Sequence, residues 1–130
     1  MKKRIAVSLA LVLVFLLLFV GCGARYKDDA RVGSYVAYGA DGKTVTYRLT
    51  LDARGEGKMI HYPAFGPEES EEIIFTFEGE DGILIHGTEA VGGVLGRNEY
   101  TATVALEGSK YAFELRAVAT GVPLAVFVQE

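Results

Sequence analysis

The chain has 130 residues, with 13 Lys and Arg against 17 Asp and Glu, a single cysteine and no tryptophan. One cysteine excludes an internal disulfide, so any folded domain must hold together on its core alone. Residues 1–21 carry three of the basic residues and no acid, so the remaining 109 residues have 10 basic against 17 acidic side chains, a net charge of about −7. That balance disfavours nucleic acid and anionic headgroups as partners.

The chain opens on the basic stretch Met1-Lys2-Lys3-Arg4, and an apolar run follows from Ile5 to Val20, broken only by Ser8. The run is short for a bilayer-spanning helix, which takes ~20 apolar residues, and it fits an export signal whose basic end stays cytoplasmic. It ends on Phe19-Val20-Gly21-Cys22.

These residues resemble the lipobox of bacterial lipoproteins. Gly21 matches the small residue before the cut, Val20 the aliphatic position before that, and Cys22 the lipidated cysteine. Phe19 departs from the usual Leu, although Leu16, Leu17 and Leu18 stand just upstream. The resemblance implies diacylglyceryl transfer to the Cys22 thiol and cleavage between Gly21 and Cys22. An uncleaved membrane anchor and an ordinary signal beside a chance cysteine are the alternatives. Several acyl chains give stable anchoring where one is marginal. Gly23 is not the Asp that resembles an inner-membrane retention signal. The expected location is therefore a cell membrane or outer membrane, with the domain facing the periplasm or exterior.

Residues 22–31 are mostly polar and read as a lipidated tether. From residue 32 to 130 the pattern is period two. Val45, Tyr47, Leu49 and Leu51 alternate with Thr44, Thr46, Arg48 and Thr50, the mark of a strand with one wet face. Ile73, Phe75 and Phe77 repeat the pattern, as do Tyr100, Ala102, Val104 and Leu106, and then Tyr111, Phe113 and Leu115. At the end, Leu124, Val126 and Val128 alternate with Ala125, Phe127 and Gln129. Turn signals separate the runs, the sharpest being Asp41-Gly42, which suits a type I′ hairpin.

The spacing predicts eight strands near 32–39, 44–52, 57–62, 72–78, 83–88, 98–106, 110–118 and 123–129, with a short helical turn at Pro67–Glu72. Short connections between successive strands predict an all-β, antiparallel up-and-down meander, closed or nearly closed into a barrel. Such a barrel fills with its own side chains or holds one small ligand.

Gly33-Ser34-Tyr35 resembles the Gly-x-Trp opening of lipocalins and fatty-acid-binding proteins, with Tyr35 in place of the Trp. The run Leu49-x-Leu51-Asp52-x-x-Gly55-x-Gly57 is similar to the strand–turn–strand of small lipocalin-like bacterial lipoproteins. The resemblance implies a barrel and does not name a ligand.

Motifs for chemistry are scarce. The chain has no Gly-x-Ser-x-Gly, Gly-x-x-x-x-Gly-Lys or His-Glu-x-x-His. Gly92-Gly93-Val94-Leu95-Gly96 lacks the spacing of a phosphate loop and reads as a connection. His61 and His86 lie on different strands, and a metal site needs about three ligands, so neither a metal nor another cofactor is expected. Pro67-Glu68-Glu69-Ser70-Glu71-Glu72 lacks the calcium-loop pattern and reads as a solvated acidic loop.

The aromatics Tyr35, Tyr47, Tyr62, Phe65, Phe75 and Tyr100 are the candidate ligand or partner surface, against core packing as the plain alternative. Loops 62–72 and 88–97 are the candidate partner loops. The reading is a membrane-anchored, non-catalytic, monomeric barrel that binds a small apolar ligand or an envelope protein. A loop-mediated inhibitor or assembly accessory, and a hydrolase using His61 or His86, are the alternatives.

Overall fold

The computed structural model describes residues 25–88, 94–96 and 98–130. The signal, Gly21 and Cys22 lie outside the described residues, as does most of the 88–97 loop. The strands are β1 (Gly33–Tyr38), β2 (Val45–Leu51), β3 (Glu56–His61), β4 (Glu69–Glu78), β5 (Gly82–Gly87), β6 (Glu99–Thr103), β7 (Ala105–Glu107), β8 (Lys110–Ala117) and β9 (Pro123–Gln129). Each pairs antiparallel with its neighbour, and β9 returns to β1. Both β6 and β7 pair with β8 and are separated only by Val104, so together they fill one position in the wall. The result is a closed eight-stranded up-and-down barrel.

Period-two patterning decides which residues enter. Tyr35 on β1, Leu49 on β2, Met59 on β3 and Glu71 on β4 form one row of cross-strand partners. All four are buried. Following partners around the full circuit returns to β1 about ten residues from the start, a stagger that tilts the strands by ~40°. An eight-stranded interior is just wide enough for side chains. Here Leu51, Ile73, Phe75, Ile83, Ile85, Phe113, Leu115 and Phe127 pack into it. Phe113 lies between two rings, tilted against Tyr35 with centroids 5.0 Å apart and stacked on Phe127 at 5.6 Å.

Four local expectations change. Asp41-Gly42 does not form a type I′ turn, because Gly42 takes φ 70° while Asp41 keeps a negative φ. Asp41 instead accepts bonds from the Thr44 hydroxyl and from the Lys43 and Thr44 amides, which hold its carboxyl down at about 2. The helical turn at Pro67–Glu72 is absent, since β4 begins at Glu69. The β3 backbone up to His61 needs partners, and Glu69, Ser70 and Glu71 supply them. In β9 it is Phe127 that enters the core, while Val126 faces solvent. Leu106 keeps the inward phase but stands beyond the barrel's end and is exposed.

One end of the barrel, the base, is closed by the segment read as the tether. The Tyr26 amide donates to the Ala53 carbonyl at 2.7 Å, and its hydroxyl accepts from the Phe77 amide at 3.1 Å. Arg31 lies over the Phe77 ring at 4.0 Å and pairs with Asp29 at 2.6 Å. It also donates to the carbonyls of Gly79 and Glu80.

The Arg31 side chain beside Asp29 lowers the Asp29 pKa from its ordinary value of 3.8. A depressed folded pKa stabilises the fold above the unfolded pKa and is lost as pH falls through the folded one. Arg31→Ala is expected to cost about 1–3 kcal/mol at neutral pH, read by urea unfolding. Asp29→Asn should also destabilise at pH 7, and its deficit against wild type should shrink as the pH falls from 3.8 through the lowered folded pKa. A deficit constant across that range would show that the pair does not bind the base to the barrel.

Candidate functional site

The opposite end, the mouth, carries the connections β1–β2 (39–44), β3–β4 (62–68), β5–β6 (88–98) and β8–β9 (118–122). Both loops singled out in the sequence are therefore at this end, facing away from the Tyr26–Arg31 closure. Antiparallel alternation dictates this, because every second connection returns to the same end.

The inward-facing row at the rim of the mouth is Ala37, Tyr47, His61 and Glu69, cross-strand partners from β1 to β4. Tyr47 and His61 stack with centroids 4.7 Å apart. His61 Nδ1 lies 3.3 Å from Glu69 Oε1. Burial pushes the Tyr47 hydroxyl up from its ordinary pKa, and the nearby Tyr100 and Glu69 add to the effect. Tyr100 reaches the same opening from β6, opposite Ile85 and Ala117.

Glu71 lies one inward position deeper than Glu69 and is 1% exposed. Its Oε1 accepts the Leu95 amide at 2.7 Å. Leu95, 2% exposed, joins the core cluster. The Asn98 side-chain amide donates to the Leu95 carbonyl at 2.9 Å, and the Gly87 amide donates to the Asn98 carbonyl at 3.1 Å. Residues 94–96 thus turn back onto the mouth, with Leu95 as an apolar stopper. A side chain at Gly87 would run into the Gly96 carbonyl, so glycine there permits the close approach. The acidic run is therefore not simply a solvated loop. Glu71 belongs to the interior, Glu69 to the rim and Glu72 to the outer wall.

The candidate aromatics divide into three groups. Tyr35 and Phe75 are core residues rather than surface. Tyr35 donates its hydroxyl to the Arg31 carbonyl at 2.5 Å, and burial pushes its pKa up to about 12. Phe75 packs on Tyr26 with centroids 5.5 Å apart. Tyr47 and Tyr100 line the mouth. Tyr62 and Phe65 belong to the β3–β4 connection, where Phe65 is 93% exposed at the tip. One surface of six aromatics does not form, because alternate strand ends point to opposite ends of the barrel.

The two histidines face different environments. His61 is on the inner phase beside Glu69, and His86 is on the outer phase beside Glu99, with Nδ1 3.7 Å from Oε1. Among the described residues no cluster of three His, Cys, Asp or Glu is placed to hold a metal ion. No helix among them is long and apolar enough to cross a membrane. No protein-family model, curated protein or solved structure matches this chain.

Sequence reading missed Glu71, Leu95 and Gly87. The available signal was phase: Glu71 shares parity with Ile73, Phe75 and Phe77. Glu71→Ala is expected to destabilise by about 1–3 kcal/mol, because it strands a buried amide. Hydrogen exchange at the Leu95 amide should accelerate by at least about tenfold. Glu71→Gln keeps an acceptor and should lose less. Unchanged Leu95 exchange in the alanine variant would refute the latch.

Proposed function

We propose that the chain is an exported lipoprotein, cut before Cys22 and lipidated there, whose barrel is a non-catalytic binding domain working through its mouth. The carrying observation is the barrel's polarity. Arg25 to Arg31 close the base, so a lipid on Cys22 would tether the barrel by that end and leave the mouth loops farthest from the anchor. The interior is occupied from both sides, by Tyr35 at the base and Leu95 at the mouth. That favours recognition at the rim over an apolar ligand deep in the barrel. The rim offers Phe65 on a projecting connection, with Tyr62 and Glu68 on the same loop, chemistry suited to a protein partner in the envelope.

Intact mass of the membrane-extracted protein tests the anchor. Wild type should begin at Cys22 and carry acyl mass, and Cys22→Ala should not. Retention of residues 1–21 without lipid would replace the reading with an uncleaved membrane anchor. A photocrosslinker in place of Phe65 tests the rim. It should give discrete envelope adducts, whereas one in place of Glu80 at the base should not. Equal adducts from both positions, or none from either, would remove the mouth as the binding surface.

A further inference from the structure

A cleft of about 480 Å³ opens beside the mouth, where β6 and β8 diverge. These strands share only the pairs Tyr100–Ala117 and Thr101–Arg116. Past them, the Val118 amide still donates to the Glu99 carbonyl at 3.0 Å, and then the chain turns away. The turn is braced by the Gly121 amide on the Ala117 carbonyl at 2.8 Å and by Arg116 Nη1 on the Gly121 carbonyl at 3.2 Å. One wall is therefore the β6 start with His86, and the other is the 117–120 turn.

We infer that this cleft is a binding site for a neutral sugar ring, an inference that rests on the binding-domain reading above and gives it a ligand class. The volume lies within the ~300–1,000 Å³ of small-molecule sites. The lining is mixed. Glu99, Asn98, His86 and Thr120 offer hydrogen-bonding groups, while Tyr100 and the 117–119 backing offer apolar surface. A sugar presents the same two chemistries, hydroxyls around its edge and C–H groups on its faces. Other classes fit less well. The Glu99 carboxylate would repel a phosphate or carboxylate. A purely apolar ligand would strip water from four polar side chains and satisfy none of them. The Glu99 carboxylate lies beside His86, with Oε1 3.7 Å from Nδ1, so an acceptor and a ring nitrogen stand next to each other at the cleft.

The test uses the full-length lipidated protein in detergent, titrated with glucose, galactose and N-acetylglucosamine. The readouts are saturation-transfer NMR on the sugar and thermal melting of the protein. At least one sugar should saturate with a Kd on the order of 1 mM. Ala119→Trp, which fills the cleft from an exposed turn, should weaken that binding at least about tenfold with an unchanged melting temperature. Glu99→Gln should weaken it while leaving the fold intact. Absence of saturable binding by a correctly lipidated, folded wild type overturns the inference. So does binding that Ala119→Trp leaves unchanged, or saturation by butylamine at the same site with no response to any sugar. A protein that ignores sugars yet still gives Phe65 adducts loses only the cleft, and the rim reading stands apart from it.

Discussion

Closure of β1 on β9 is the constraint on which the molecule depends. It is made at just two register pairs, Tyr35–Gln129 and Val36–Val128, with the Glu130 amide on the Ser34 carbonyl at 2.9 Å beside them. Without it the sheet would have two free edges and an apolar face open along its length. The seam is reinforced from below. The Gln129 side chain donates to the Ala30 carbonyl at 2.9 Å, and the Tyr35 hydroxyl reaches Arg31. The residues just before β1 therefore tie the first and last strands together.

That arrangement fixes the direction of everything else. With the base occupied by Tyr26, Asp29 and Arg31, the connections at the other end are free to vary in length, and two of them do. The β7–β8 turn at the base needs only residues 108–109, whereas β3–β4 spans 62–68 and β5–β6 spans 88–98. Short turns where the chain must pack and long ones where it need not is the division expected when binding sits on loops carried by a rigid wall. The stopper at Leu95 shows what the long β5–β6 connection does besides. It returns to the barrel and fills space that the wall alone leaves open.

Much of the fold was legible because eight strands with one wet face repeat the same period, and that signal survives errors of one or two residues at each end. What failed was local. The start of β4 was hidden by a run of glutamates that looks solvated on composition, while its parity with Ile73 placed Glu71 inside. In β9, valine and phenylalanine alternate on both faces, so hydrophobicity could not choose the phase. Pairing of Phe113 with Phe127 chose it instead. Asp41-Gly42 carries the composition of a two-residue hairpin, but the side-chain cap on Thr44 stabilises a longer connection.

The candidate site was less legible for a different reason. Aromatic residues on an antiparallel wall look alike in sequence whether they point to the base or the mouth, because both are inward positions of the same period. Only the register separates Tyr35 from Tyr47, which face the same interior from opposite ends. The cleft between β6 and the 117–120 turn has no sequence signature at all. It arises because β8 pairs with β6 and β7 in one continuous register, so its last residues run past the start of β6 and leave the wall. A cleft made by the divergence of two strands belongs to the topology, and His86, Glu99 and Tyr100 are brought to one place only through it.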